Sequence, residues 1–345
     1  MKAMVLTGIR EMELIDLPMP AIVEENEVLI RMKVVGVCGS DVHYYTQGKI
    51  GSQVVQYPFP VGHEGAGEVI KVGKAVTRVE PGDRIAIEPA MPCGECDQCM
   101  VGRPHTCRRL RFLGCPGQAE GCLMEYIVMP EDSCFPITDS LTYTEAAISE
   151  PLAIGLYAVN QSIPMKGATV GILGFGPIGM SVLLSAVAKG ATQIFVTDLV
   201  DERLQIAQDC GAIWIGNPEK MDVVGEVKAK EPLMLDVVFE CCGKQEAIDQ
   251  AIELLKPGGK LMLIGIPEFN RWSFPVDQMR HKEICIQNVR RQNHSLDETL
   301  ELMKSGTLDV GKMHTHRFPF ARTKEAFDLV AGYKDGVMKA MVDFD

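Results

Sequence analysis

Between residues 28 and 35 the chain reads VLIRMKVV, with Ile30, Met32 and Val34 alternating against Arg31 and Lys33. A period of two puts alternate side chains on opposite faces, so this stretch predicts a strand with one face toward a core. MKAMVL at the start, GAGEVIKVG (65–73) and PGDRIAIEP (81–89) have the same texture, short apolar runs set between glycine, proline and charge. Together they predict a compact β-rich domain.

Near residue 152 the pattern changes. TVGILGF (169–175) predicts a buried strand, PIGMSVLLSAVAKG (177–190) a helix closed by Gly190, and QIFVTD (193–198) the next strand. DERLQIAQDCG (201–211) predicts a second helix with Asp201 as N-cap and Gly211 as its stop. LDVVFECC (235–242), a helix over QEAIDQAIELLKPGG (245–259), KLMLIGI (260–266) and EICIQNV (283–289) continue the alternation. Parallel strands joined by helical crossovers make a doubly wound α/β sheet. The helical DETLELMKSG (297–306), the stretch HTHRFPF (314–320) and a last strand KAMVDF (339–344) have no place in that sheet, so the tail is expected to return to the first domain. The expected division is residues 1–151 with 290–345, and residues 152–289.

Composition narrows the function classes. The 345 residues, 46% hydrophobic and 23% charged, exceed one ordinary core and suit a soluble two-domain protein. The first ten residues lack the apolar run of about 7 to 15 residues of a signal peptide. No stretch approaches the roughly 18 apolar residues of a membrane span. A cytoplasmic protein without a membrane partner is expected. A formal charge of −12 argues against nucleic acid, whose phosphates draw on clustered Lys and Arg, and favours a small-molecule partner. Of twelve cysteines only one group is tightly spaced, which suits reduced thiols with a metal better than a disulfide framework.

That group is PCGECDQCMVGRPHTC, in which Cys93, Cys96, Cys99 and Cys107 can surround a tetrahedral zinc and leave no open position, so the site would be structural. Four free thiols and an iron–sulfur cluster are the alternatives. GFGPIG, from Gly174 through Gly176, Pro177 and Ile178 to Gly179, matches GxGxxG where a strand runs into a helix, which lets a pyrophosphate approach the helix N-terminus. Asp198 ends the next strand and can bond an adenosine ribose hydroxyl, favouring NAD over NADP. Arg203 could cap a phosphate but fits the ribose better. VCGSDVHYY and GHEGAG add Cys38, Ser40, Asp41, His43, Tyr44, His63 and Glu64. Neighbours on a strand face opposite ways, so His63 and Glu64 can serve one metal only if the chain bends, which Gly62 and Gly65 would allow. One thiolate, one imidazole and one carboxylate leave a fourth position open for chemistry.

CGSDVHYY, VGHEGAGEVIKVG, VEPGDRIAIEP, the four-cysteine lobe, SEPLAIGLYA, GPIGM and VTD, in this order, resemble the zinc-containing medium-chain dehydrogenases, within them the sorbitol and xylitol dehydrogenase branch. The resemblance spans nearly the whole chain. It implies a GroES-like catalytic domain with a structural zinc lobe plus a Rossmann NAD-binding domain, two zinc ions per chain, and a homodimer or homotetramer. It further implies that Cys38, His63 and Glu64 hold a catalytic zinc, that Glu150 binds it directly or through water, and that Asp41 orients His63. Ser40 and His43 would pass a proton outward; Tyr44, Glu150 and Arg290 would contact substrate hydroxyls; Gly265 and Ile266 would line the cofactor. The SEP at 149–151 favours a polyol over a simple alcohol or threonine as substrate. One departure stands out: Arg291 follows Arg290 where the family commonly has an aromatic, which fits either a solvated ion pair or contact with a sugar acid or phosphorylated polyol; a cyclitol is a further alternative substrate. A nonenzymatic zinc- or NAD-binding protein would have little need of Cys38, His63 and Glu150.

Overall fold

The alternating apolar faces of the N-terminal half assemble one sheet. The computed structural model describes residues 1–344, and in it the central strand Glu27–Gly36 pairs antiparallel with Glu64–Val72 on one side. On its other side it pairs with Tyr126–Pro130 along its first half and with Ala340–Asp343 at its end. Arg84–Ile87, Cys134–Pro136 and His316–Pro319 complete seven strands. The tail thus adds two strands to a sheet begun some 300 residues earlier, as the leftover apolar pattern of KAMVDF predicted. Ile30, Met32, Val69, Ile85, Ile87 and Val342 are buried together in the core of this unit. A hairpin of Lys2–Gly8 with Glu11–Asp16, which the sequence pattern had not disclosed, packs Val5 and Leu6 into the same core.

The tail also braces a helix that the strand pattern hid, Gly39–Gln47. Its fully buried Tyr45 meets Phe327 edge to face at 5.4 Å and donates to Asp328 at 2.8 Å, both on helix Thr323–Ala331. Gly48, at φ 68°, ends helix Gly39–Gln47 by donating to the Tyr44 carbonyl.

The middle of the chain forms six parallel strands in the order Trp214–Gly216, Gln193–Thr197, Thr169–Leu173, Leu235–Glu240, Leu255–Leu263, Cys285–Asn288. In sequence rank that is 3-2-1-4-5-6, and the order reverses at Thr169–Leu173, where open parallel sheets bind ligands at their carboxyl ends. Strand interiors such as Val170–Leu173 are buried on both faces, hence their continuous apolar runs.

Several local expectations are corrected. Asp201 is the first helical residue rather than the N-cap: Val200 takes the cap in extended conformation, and the Asp201 carboxylate pairs with Lys220 and the Asn217 amide. The helix from Gln245 stops at Leu254, before the KPGG segment, because Pro257 and Gly258 (φ 76°) belong to the following strand and its pairing shift. By compactness the first unit comprises Met1–Glu150, Leu296–Gly306 and the chain from Met313, and the second Pro151–Ser295 with Thr307–Lys312. The return to the first unit thus begins at Leu296, not at 290. Residues 290–295 stay with the edge strand, where Val289 donates to Leu263 and Gln292 accepts from the Ser295 amide.

Replacing Phe327 by Ala should lower the stability of the first unit by about 3–5 kcal/mol, since it empties a fully buried aromatic site. Urea unfolding checks this; a loss below about 1 kcal/mol would show that the tail helix does not hold Gly39–Gln47.

Candidate functional site

His63 and Glu64 do reach one site, through one bend rather than two. Gly62 adopts φ 97°, while Gly65 lies extended in Glu64–Val72, where its missing side chain makes room for Met32 and Cys122. Glu64 pairs with Gly36, and a Cβ on Gly36 would stand 2.4 Å from the Glu64 carboxylate. Cys38, two residues past Gly36, caps helix Gly39–Gln47 and brings its thiol to the same place. One donor atom from each of Cys38, His63 and Glu64 lies within 4.8 Å of the others.

The surroundings are largely buried and rich in carboxylates. Asp41, fully buried, sets its Oδ1 3.3 Å from His63 Nδ1 and accepts from the Gly62 amide, so one carboxylate fixes both the ring and the bend. Burial opposes charge on His63, but the charges of Asp41 and Cys38 outweigh it and raise its pKa well above the usual value. The Glu150 carboxylate, 4% exposed, has Oε2 with no hydrogen-bond partner; burial pushes its pKa up to about 8, against the nearby His63. Asp41 Oδ2 is similarly unpartnered. A thiol, an imidazole and buried carboxylates with unused oxygens form a donor set that a dication fits, because such oxygens are costly to bury otherwise. Glu150 stands outside the tight trio.

Sequence reasoning missed Lys339. It is 1% exposed and pairs with Glu64, its ammonium also reaching the Val37 carbonyl at 3.5 Å. Burial would discharge this lysine, but the charges of Glu64 and Cys38 outweigh that and raise its pKa. A single lysine at the head of a tail strand carries no local signal of such a role. Phe112, also missed, packs against the His63 ring at 5.3 Å between centroids. Among the expected neighbours, Ser40 donates to Cys38 Sγ at 3.3 Å and His43 is half-buried on the same helix. Tyr44 is buried with its hydroxyl on Gln53.

The four-cysteine lobe gathers as expected. Cys93, Cys96, Cys99 and Cys107 place their sulfurs within 4.8 Å of one another, with Cys96 at 3.6 Å from Cys99 and 3.8 Å from Cys107. No disulfide forms among the described residues. The Glu95 amide draws the Cys93 pKa down to about 6, whereas burial and the neighbouring thiols push Cys99 up to about 12. Thiols this close cannot all ionise unless a cation sits among them.

In the second unit the glycines have separate tasks. Gly174 turns at φ 92°, and a Cβ on Gly179 would stand 2.1 Å from the Gly174 carbonyl oxygen. Gly176 caps helix Pro177–Ala188 with no side chain over the amides, and Ile178 is half-buried beside it. Asp198 ties this turn to the next strand: Phe175 N–H donates to it at 2.5 Å and Val200 N–H at 2.8 Å. Arg203 is buried with Nη1 3.6 Å from where a Gly176 Cβ would stand, against the turn itself. Gly265 approaches Gly243 too closely for any side chain, and Ile266 is exposed beyond it. Glu240, a further residue not anticipated, is fully buried and accepts from the Cys242 and Gly243 amides at this edge. The glycine cradle and fixed carboxylate suit a dinucleotide. Arg290 is exposed, and Arg291 is half-buried at φ 54°.

Comparison with known proteins agrees with this architecture. Residues 24–139 match the alcohol dehydrogenase GroES-like domain and residues 177–305 the zinc-binding dehydrogenase domain. The chain is 38% identical over 343 residues to a sorbitol dehydrogenase of Bacillus subtilis, covering 99% of this chain and 97% of the relative. It is 33% identical over 333 residues to an L-idonate 5-dehydrogenase of Vitis vinifera, covering 94% and 90%. A solved structure of an Escherichia coli oxidoreductase/dehydrogenase of unknown specificity superposes with a TM-score of 0.94 at 31% identity, covering 100% of this chain and 99% of that one.

Replacing Lys339 by Met strands the buried Glu64 charge and should cost the metal-stripped protein about 3–5 kcal/mol, read from urea unfolding. Unchanged stability would mean that another buried cation holds Glu64.

Proposed function

Because the chain belongs to the zinc-containing medium-chain dehydrogenases, with zinc and a nicotinamide dinucleotide as cofactors, we propose that it oxidises a secondary hydroxyl of a neutral sorbitol- or xylitol-like polyol to a ketose, with NAD as acceptor. The overall reaction is alcohol plus NAD⁺ to ketone, NADH and a proton. The observation carrying it is the buried convergence of Cys38, His63 and Glu64 beside the unpartnered Glu150 oxygen.

In this proposal Cys38, His63 and Glu64 hold the catalytic zinc, with Glu150 reaching it directly or through water, and Cys93, Cys96, Cys99 and Cys107 hold the structural one. Bound there, zinc supplies Lewis acidity to the alcohol oxygen, and the nicotinamide ring supplies a hydride acceptor. Asp41 keeps the His63 ring aimed through Nδ1. Ser40 Oγ, which rests against Cys38 Sγ, would accept the alcohol proton while releasing its own hydroxyl proton outward, toward His43. Gly174, Gly176 and Gly179 let the pyrophosphate approach the helix that begins at Pro177. Asp198, fixed by two backbone amides, accepts from the ribose and repels a 2'-phosphate, while Arg203 steadies the ribose side. Gly265 and Ile266 line the cofactor, and Tyr44, Glu150 and Arg290 meet the remaining hydroxyls. The reduced cysteines suit work in the cytoplasm, as a homodimer or homotetramer.

The half-buried Arg291 and the L-idonate relative favour a second substrate class, a sugar acid, which a guanidinium would bind as a carboxylate. A panel of polyols, cyclitols, sugar acids and sugar phosphates, each with NAD and NADP and followed by absorbance of the reduced coenzyme, decides between them. Neutral polyols with NAD should give the highest kcat/KM. A preference for sugar acids would transfer the role to Arg291, equal use of NADP would remove Asp198 from the choice, and no turnover of any secondary alcohol would overturn the proposal.

A further inference from the structure

Beside the metal-binding trio, the first unit holds a second polar cluster that takes no part in gripping the metal. Ser40 and Tyr44 lie one turn apart on helix Gly39–Gln47, hence on one face with about 5–6 Å between their Cβ atoms. At one end of that face Ser40 touches Cys38 Sγ; at the other the Tyr44 hydroxyl donates to Gln53 Oε1 at 3.0 Å and lies 3.8 Å from Cys115 Sγ. A second wall joins the same two points: Phe112 packs on the His63 ring, and the Cys115 amide donates to the Phe112 carbonyl at 3.2 Å. Tyr44 and Cys115 are buried, whereas Cys38, Ser40 and Gln53 are half-buried.

We propose that Gln53 determines specificity: by taking the Tyr44 proton it fixes the Tyr44 oxygen as an acceptor for a distal hydroxyl of the substrate. The proposal rests on the polyol function and extends it to the chain length of the polyol. A phenol whose proton is already committed offers lone pairs to its other neighbours, so a substrate must bring its own O–H. The separation of Ser40 from Tyr44 sets that hydroxyl a few carbons from the reacting one, which an extended polyol supplies and a short diol does not. A substrate that brings a hydroxyl to this acceptor gains a hydrogen bond that an analogue lacking it does not.

The test compares a hexitol with butane-2,3-diol, both secondary alcohols, on the unmodified enzyme and on Gln53→Leu, Gln53→Glu, Tyr44→Phe and the Tyr44→Phe, Gln53→Leu double variant. The ratio of kcat/KM for hexitol over diol should fall about tenfold or more in Gln53→Leu, through KM for the hexitol. Gln53→Glu, whose carboxylate still accepts the phenol proton, should keep the ratio. The double variant should fall no further than Tyr44→Phe alone, since both remove one interaction. An unchanged ratio in Gln53→Leu overturns the inference, as does an equal loss on both substrates, additivity in the double variant, or a Gln53→Glu ratio as low as that of Gln53→Leu. Each of those outcomes leaves the polyol function standing. An unmodified enzyme that oxidises neither substrate overturns both.

Discussion

The first unit is organised around the cost of burying negative charge. Asp41, Glu64 and Glu150 are buried near His63 and the half-buried Cys38 thiol, and an uncompensated buried carboxylate costs several kcal/mol. Lys339 offsets one charge, and the donor geometry accommodates a dication for the rest. Much of the local architecture is what this arrangement requires. Gly36 leaves space for the Glu64 carboxylate, Gly62 makes the bend, and Asp41 anchors both that bend and the imidazole. Lys339 sits at the head of the tail strand Ala340–Asp343, so the return of the tail to strand Glu27–Gly36 is also what delivers the countercharge.

The second unit solves a different problem, the close approach of backbone to a polyanion. Gly174 and Gly179 are locked by contacts that no side chain would permit, and Asp198 clamps the turn through Phe175. The arginine buried against Gly176 puts positive charge at the turn, whereas Asp198 puts a carboxylate where the next strand ends. Both charges border the glycine turn that the pyrophosphate of a dinucleotide would approach.

Period and punctuation made the doubly wound sheet legible, because parallel strands buried on both faces are continuous apolar runs and the first two crossover helices stop just before Gly190 and Gly211. The four-cysteine lobe was legible for the same local reason: all four ligand candidates lie within fifteen residues, Cys93 to Cys107. What stayed hidden depends on distance along the chain. Lys339 meets Glu64 across 275 residues and Tyr45 meets Asp328 across 283, and no window of sequence contains either pair. Glycine was ambiguous in GHEGAG: Gly62 bends the chain and Gly65 merely makes room, and only the neighbours Met32 and Cys122 tell the two apart.

The proposed function needs two unlike metal sites in one chain, the closed set of four thiols and the open Cys38, His63 and Glu64 set that long-range contacts support. Zinc-edge X-ray absorption on the zinc-loaded protein tests it most directly. Two environments are expected, one zinc in an all-sulfur shell and a second with a single sulfur among nitrogen and oxygen ligands, the second vanishing in Cys38→Ala while the first persists. A single all-sulfur environment that Cys38→Ala leaves untouched would contradict it.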